Sequence, residues 1–243
     1  MNIGLDISYI GTNYSGWQVQ PNKTTIQGEL EKALKKVFCK DISTTASGRT
    51  DAGVSAYCQV VNFHAETNIP VDRLVYVINE HLPKDIRVLR TYKVAEDFNA
   101  RYSAKKKTYE YYFYFGDVEN AILSEHSLFV RGSLDIDTMK KACKKLQGEW
   151  DFSSFCASDT EVENKVRTIY DIDIVECDRG YKLVVTGNGF LYNMVRIIMG
   201  TMIDVGFGKY SIEDISRILE AKDRCKAGHT APPTGLTLLK VQY

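Results

Sequence analysis

The sequence predicts an α+β fold made of two similar α/β subdomains, which share a largely antiparallel central sheet with helices on its outer side. Three observations support this prediction. Stretches that alternate apolar and polar residues, the period of a half-buried strand, recur along the 243-residue chain. Amphipathic helices separate these strands in both halves. The order of elements in residues 1–104 is loosely repeated in residues 105–243, so we expect the domain boundary to lie between them.

The first half of the chain begins with a strand, a helix and a second strand. Residues 2–10 form the first strand, one face of which carries Ile3, Leu5, Ile7 and Tyr9. Thr24 and Gln27 predict a capping box at the start of the helix. The apolar face of this helix holds Ile26, Leu30, Ala33, Leu34 and Val37. Residues 57–64 are rich in β-forming side chains and predict the second strand.

A further helix and strand complete this half. The helix is expected from Pro70 to His81, because proline suits a first helical turn and Pro83 ends the segment. Residues 86–94 then return as a strand. The first hundred residues therefore alternate strands with helices.

The second half begins with a strand from Tyr109 to Phe115, whose residues are mostly aromatic. The elements that follow are a helix ending near Gly148, a hairpin of residues 168–177 and 181–186, and a final strand over residues 236–243. Between them, residues 190–206 are apolar around most of a helical circumference, so we expect a helix buried inside the protein.

Composition narrows the possible functions. The chain carries 31 basic and 31 acidic residues, so any surface for nucleic acid must be local. Its six cysteines are scattered without a CxxC pair, which predicts reduced thiols and a cytoplasmic location. Its four histidines lie at no metal-ligand spacing, so we expect no metal. No stretch reaches the roughly 20 apolar residues needed to span a membrane. Glycine-rich phosphate motifs are missing, so we expect no nucleotide cofactor.

The stretch SGRTDAGVS at residues 47–55 holds one carboxylate, Asp51, between two glycines. Gly48 and Gly53 tolerate positive φ, so a turn here could present Asp51 at an exposed tip beside a strand end, where scaffolds commonly hold catalytic groups. The alternative is an ordinary surface turn closed by an ion pair between Arg49 and Asp51.

Arg196 is a strong cation at the middle of the apolar segment 190–206. Burying a guanidinium without a partner costs several kcal/mol, so a carboxylate should meet it. Asp204 lies eight residues further along, or about 12 Å at helical rise, and is a poor candidate. Asp51 is the better candidate, and the pairing would lower its pKa. A purely structural salt bridge is the alternative.

A basic and aromatic segment covers residues 98–115. Its cations are Arg101, Lys105, Lys106 and Lys107, and tyrosines flank them on both sides. Cations and aromatic rings together are typical of surfaces that hold a nucleic-acid backbone and an unstacked base. The same rings would suit a protein core, which is the alternative. Tyr109 is singled out because it lies where the lysine run enters the predicted strand.

Motifs from the first predicted strand to the last resemble the TruA family of tRNA pseudouridine synthases. The matching segments are YxGxxYxGWQxQ at 9–20, GRTDAGV at 48–54, INEHLPKDI at 78–86, FNARYSAKKKTYEY at 98–111, GEWDFSSF at 148–155, NGFLYNMVRIIMG at 188–200 and APPTGL at 231–236. Their number and order make the resemblance specific.

The resemblance implies an isomerase that converts uridine to pseudouridine in the anticodon stem-loop of tRNA, at positions 38, 39 and 40. It implies base flipping, because a uracil inside a stem cannot be reached where it is stacked. It further implies a homodimer that needs no cofactor, no metal and no membrane.

Roles for single residues follow from the same resemblance. Asp51 matches the catalytic aspartate, which acts either as a nucleophile or as a base. Tyr109 matches the residue that lies against the target base, and Arg196 matches the ionic partner of Asp51. Arg49 matches the arginine that helps displace the target nucleotide. The expected RNA contacts also include Tyr109 and the cations Arg101, Lys105, Lys106 and Lys107.

Three residues depart from the family pattern. Ser55 and Trp150 stand where histidine is frequent, and Thr237 stands where tyrosine is common. None of them is one of the three proposed catalytic residues, so the departures concern substrate range and RNA docking. The competing hypothesis is a non-catalytic tRNA-binding module on the same scaffold.

Overall fold

The structure of the protein, a computed structural model, describes residues 1–160 and 162–243. These residues form ten β-strands and five α-helices. The strands are β1 (Asn2–Tyr9), β2 (Thr45–Ala46), β3 (Ser55–His64), β4 (Ile86–Lys93), β5 (Lys106–Gly116), β6 (Leu128–Arg131), β7 (Gly148–Asp151), β8 (Val166–Cys177), β9 (Gly180–Gly187) and β10 (Leu236–Gln242). The helices are α1 (Ile26–Phe38), α2 (Leu74–Asn79), α3 (Ile136–Lys144), α4 (Met194–Gly206) and α5 (Ile212–Ala221).

Helices are interspersed among the strands along the chain, and most strand pairs are antiparallel. The predicted α+β class with a largely antiparallel sheet is therefore confirmed. The chain divides into two compact units. The first unit comprises Met1–Lys105 and Thr237–Tyr243, and the second unit comprises Lys106–Leu236.

In the first unit, β1 lies between β3 and β4 and is antiparallel to both. β10 runs parallel to β3. The predicted alternation of β1 is confirmed, because Ile3, Leu5 and Ile7 are all fully buried. This pattern fixes the register of β1, since a slip of one residue would move its apolar side chains to the opposite face of the sheet.

Helix α1 starts one residue later than the predicted capping box. Thr25, in an extended conformation, is the N-cap, and its hydroxyl accepts the N–H of Gly28 at 3.3 Å. The prediction of Thr24 as the cap is therefore wrong. Gln27 does not complete a capping box, because its side-chain amide donates to Glu31 and Thr44 instead.

The second helix is shorter than predicted. A 3₁₀ turn covers Val71–Arg73, and α2 ends at Asn79. The side chain of Asn79 accepts the N–H of Val88 at 2.9 Å and donates to its carbonyl at 2.8 Å. The side chain of Asn79 therefore pairs with the backbone of β4 at the end of α2.

In the second unit the strand order is β5, β9, β8, β7, with every neighbouring pair antiparallel and β6 parallel to β5. The predicted hairpin is confirmed, with β8 and β9 joined where Cys177 pairs with Gly180. Helix α4 is buried along most of its length, as its all-round apolar sequence predicts. No helix in the described ranges is both long and apolar enough to cross a bilayer.

Candidate active site

The predicted aspartate loop is a tight turn between β2 and β3. The N–H of Val54 donates to the carbonyl of Asp51 at 3.1 Å. Gly53 has a φ of +80°, the value that the third residue of a type II turn requires and that favours glycine. Asp51 is half-buried and Ala52 is exposed. The expectation that Asp51 sits at an exposed tip is therefore wrong. The exposed residue of the turn is Ala52, which follows Asp51.

The backbone that enters the turn is held by a buried side chain. Gln59 is fully buried on β3, and its amide donates to the carbonyl of Gly48 at 2.7 Å. The hydroxyl of Ser47 also bonds to Gln59, and the N–H of Ser47 donates to Val60 at 2.8 Å. The start of the loop is thus fixed to β3.

Thr50 directly precedes Asp51, and both its carbonyl and its hydroxyl form hydrogen bonds. Its carbonyl accepts the N–H of Trp17 at 3.0 Å, and its hydroxyl lies 2.8 Å from the hydroxyl of Tyr9. The rings of Tyr9 and Trp17 are 5.9 Å apart, and both side chains are buried. The segment that connects β1 to α1 therefore encloses the aspartate turn.

The exit from the turn is held by the same connecting segment. Gly53 donates its N–H to the carbonyl of Tyr14 at 3.3 Å, and Gly11 donates to the hydroxyl of Ser55 at 3.0 Å. The serine that replaces a frequent histidine thus closes the loop. The tight approach explains why this segment is rich in glycine, since a Cβ on Gly11 would lie 2.1 Å from the carbonyl oxygen of Val54.

Arg49 is exposed beside the turn. Among residues 1–160 and 162–243 it takes part in no ion pair, so the alternative of a surface turn closed by Arg49 and Asp51 is not what forms. As an exposed cation, Arg49 is accessible to an anionic partner.

Tyr109 lies on β5 in the second unit. Its ring is buried, at 8% exposure, and meets the ring of Phe190 edge to face at 5.2 Å. Phe190 belongs to the loop that precedes α4, so this loop is brought onto the tyrosine strand. The aromatic ring is therefore fixed in orientation.

Arg196 is the third residue of α4 and is half-buried, so it lies in the first turn and not at the middle of the helix as predicted. The helix starts later than the apolar run because Asn193, with a φ of +59°, caps it. The guanidinium donates to the carbonyl of Ala231 at 2.7 Å and to the side chain of Asn193 at 2.7 Å. Its predicted pairing with Asp51 stays a prediction.

Tyr111 is a neighbour of Arg196 that the sequence did not single out. Burial raises the pKa of its phenol, and the charge of Arg196 acts in the opposite direction. The hydroxyl donates to the carbonyl of Pro232 at 2.6 Å. Three motifs that are distant in sequence, on β5, on α4 and in APPTGL, thus meet in the second unit.

The basic run is mostly accessible. Arg101, Lys105 and Lys106 are exposed, and Lys107 is half-buried. Aromatic rings lie next to two of these cations. Arg101 lies 5.6 Å from the ring of Tyr102, and Lys106 lies 4.8 Å from the ring of Tyr170. Exposed cations and aromatic rings therefore lie side by side in this segment, and its predicted role in binding RNA stays a prediction. In the described ranges, no group of three His, Cys, Asp or Glu side chains is placed to hold a metal.

The sequence did not single out Thr50, Tyr9, Trp17 or Gln59, the residues that hold the aspartate turn. The signal that could have found three of them is their place within or next to matching motifs. Tyr9 and Trp17 belong to YxGxxYxGWQxQ, and Thr50 belongs to GRTDAGV. Gln59 carries no such signal, since it reads as one more polar residue in a strand.

Comparison with known proteins gives matches over most or all of the chain. A family model described as tRNA pseudouridine synthase matches residues 7–103 and 142–243. A tRNA pseudouridine synthase A from Caldicellulosiruptor saccharolyticus is 48% identical over 242 residues, covering 100% of this chain and 99% of the relative. A protein of the same name from Bacillus subtilis is 46% identical over 245 residues, covering 100% of this chain and 99% of the relative.

These matches extend over both units and define an isomerase that forms pseudouridine in tRNA. The chain belongs to the tRNA pseudouridine synthase A family.

Proposed function

We propose that this enzyme acts on the anticodon stem-loop of tRNA, at positions 38, 39 and 40, with Asp51 as its catalytic residue. The observation that supports this assignment most directly is that hydrogen bonds fix the backbone of the aspartate turn. Its backbone is hydrogen-bonded at Gly48, Thr50 and Gly53, on both sides of a half-buried Asp51. A fixed backbone suits a catalytic carboxylate that must be aligned with a single atom of the substrate.

The reaction rearranges bonds without any co-reactant. The C1′–N1 bond of uridine breaks, a C1′–C5 bond forms, the proton leaves C5 and a proton is taken up at N1. Asp51 serves as a nucleophile on the ribose or uracil, or as a base at the sugar. Either role requires its ionised carboxylate.

Tyr109 confines the detached uracil while it turns from N1 to C5. Its buried ring, oriented by Phe190, supplies a flat surface for stacking, and its hydroxyl is assigned to proton transfer. Arg196 is the ionic partner of Asp51 in this proposal and keeps the carboxylate ionised.

Arg49 displaces the target nucleotide from its stem. Extrusion of a stacked base costs a few kcal/mol, so a cation next to the catalytic turn must favour the extruded state. Arg49 is exposed and adjacent to Thr50 and Asp51 in the chain. The cations Arg101, Lys105, Lys106 and Lys107 bind the phosphates of the stem-loop.

The enzyme acts as a homodimer in the cytoplasm, as its family resemblance suggests. Light scattering at assay concentration should give twice the mass of the chain, and a monomeric mass would contradict the dimer. Cell fractionation should find the protein with the cytoplasmic tRNA.

The deciding experiment incubates the protein with unmodified tRNA transcripts and maps pseudouridine at single-nucleotide resolution. We expect product at positions 38, 39 and 40. Asp51→Asn should bind the tRNA with nearly unchanged affinity and form no product. Asp72→Asn is the matched control, because Asp72 is an exposed aspartate of the same unit.

The outcomes separate the possible errors. Product at other tRNA positions would contradict the anticodon assignment. Full activity of Asp51→Asn would contradict the role of Asp51. Tight tRNA binding by wild-type protein without any product would favour the non-catalytic module.

A further inference from the structure

We propose that Tyr9, Thr50 and Trp17 are positioning residues for Asp51, and that the hydrogen bond between the hydroxyls of Tyr9 and Thr50 controls the turnover rate. The inference rests on the proposed catalytic role of Asp51.

Thr50 is the covalent neighbour of Asp51, so its location decides where the carboxylate can be. It is 6% exposed. The carbonyl that leads into Asp51 accepts the N–H of Trp17 at 3.0 Å, and the hydroxyl meets that of Tyr9 at 2.8 Å. With both ends held, the backbone before Asp51 has no freedom to turn.

The two groups that hold Thr50 are themselves anchored in regular structure. Tyr9 is the last residue of β1. The carbonyl of Trp17 accepts the N–H of Gln27 at 2.9 Å, and the carbonyl of Gly16 accepts that of Ile26 at 3.2 Å. These amides belong to the first turn of α1, where a helix lacks internal acceptors. The end of a strand and the start of a helix therefore fix Thr50 jointly.

The backbone after Asp51 is held in a similar way. Gly53 donates to the carbonyl of Tyr14 at 3.3 Å. The hydroxyl of Tyr14 donates to Asp85 at 2.7 Å, which ties the connecting segment to the start of β4. Because the backbone is hydrogen-bonded on both sides of Asp51, we expect a shift of Thr50 to displace Asp51.

The Tyr9 hydroxyl acts on the position of Thr50 as well as on stability, and the controls below separate the two effects. Tyr9 continues a face of β1 made of Ile3, Leu5 and Ile7, where a phenylalanine ring would pack as well. Loss of this buried hydrogen bond also lowers stability, because the remaining hydroxyl of Thr50 keeps no partner on Tyr9. The hydroxyl of Tyr9 fixes the distance to Thr50 and also bonds to the side chain of Gln59.

The test removes this hydrogen bond from either side and measures kcat and KM on the tRNA substrate. Tyr9→Phe and Thr50→Val should each lower kcat about 10- to 100-fold, because misplacement by about 1 Å can cost about 100-fold. KM should stay within about twofold. Thr50→Ser, which keeps the hydroxyl, should restore kcat. The double variant should be no slower than the slower single variant, because both lose the same bond.

Matched controls remove the same atoms elsewhere in the first unit. Thr91→Val removes a buried hydroxyl that donates to Val71, and Tyr92→Phe removes a phenol that donates to Asp6 at 2.9 Å. Both should keep kcat within about twofold of wild type. All variants are compared at a temperature where circular dichroism shows them folded. If Thr50→Val does not fold, the test depends on Tyr9→Phe, which loses only one oxygen atom.

Unchanged kcat in Tyr9→Phe would overturn the inference, and so would equal losses in the controls. If wild-type protein forms no pseudouridine, or Asp51→Asn keeps full activity, the proposed function fails instead.

Discussion

The N–H of Gly11 donates to the hydroxyl of Ser55 at 3.0 Å, which joins the loop after β1 to the first residue of β3. Ser55 in turn stands opposite Thr237 where β3 and β10 pair. Two of the three positions that depart from the family pattern are therefore neighbours. Ser55 directly follows the aspartate turn and Thr237 pairs with it from β10, so both positions can alter how the turn is supported without replacing Asp51.

Ser55→Ala should destabilise the protein. Gly11 is buried, so its N–H would be left without an acceptor, at a cost of about 1–3 kcal/mol. Urea unfolding of the two proteins measures the difference in the free energy of unfolding. Ser55→Thr keeps the hydroxyl and should lie close to wild type. Equal stability of Ser55→Ala and wild type would show that this hydrogen bond contributes nothing.

Gly16→Ala should reduce both stability and pseudouridine formation. Gly16 has a φ of +89°, which costs an alanine about 1–2 kcal/mol. The new Cβ would also lie 2.8 Å from the carbonyl oxygen of Thr50 and 3.2 Å from the backbone of Asp51. Gly208→Ala is the control, because its φ is +73° and its Cβ would meet no described atom within 4 Å. Calorimetry should show a larger fall in Tm for Gly16→Ala, and similar falls would refute the contact.

Gln59→Met should weaken the start of the aspartate turn. The substitution preserves size but removes the donor to the half-buried carbonyl of Gly48 and the acceptor of the buried Ser47 hydroxyl, at a cost of about 1–3 kcal/mol in the free energy of unfolding. Gln20→Met provides the control, since the exposed Gln20 donates to Ser15 in solvent and should change stability little. Denaturant titration of both variants tests the prediction, which fails if they are equally stable.

Asp151 should make the second unit sensitive to acid. The hydroxyl of Ser153, followed by Lys222, lowers the pKa of this carboxyl below its usual value. Because the folded-state pKa is the lower one, the stabilisation is fully present above about pH 4 and is lost as the pH falls through the folded-state pKa. Asp151→Asn should therefore show a flatter dependence of stability on pH below about 4. Parallel curves for both proteins would contradict this assignment.

Local patterns predicted most of the elements. The alternation of β1, the hairpin of β8 and β9 and the buried α4 follow from period and turn residues, and all are present. The errors fall at element ends. The α1 cap is Thr25 and not Thr24, because the hydroxyl of Thr25 accepts the N–H of Gly28. Helix α2 ends at Asn79, whose side chain pairs with the backbone of Val88.

By itself, the sequence determined that Asp51 lies in a glycine-flanked turn before a strand, and that the chain belongs among the tRNA pseudouridine synthases. Only the tertiary structure decided that Asp51 is half-buried, that Arg49 is not its partner, and that Thr50 is held by Tyr9 and Trp17. The physical reason is distance along the chain. Tyr9 and Thr50 are separated by 41 residues, and their contact depends on strand register and on the path of a connecting loop, neither of which leaves a local period in the sequence.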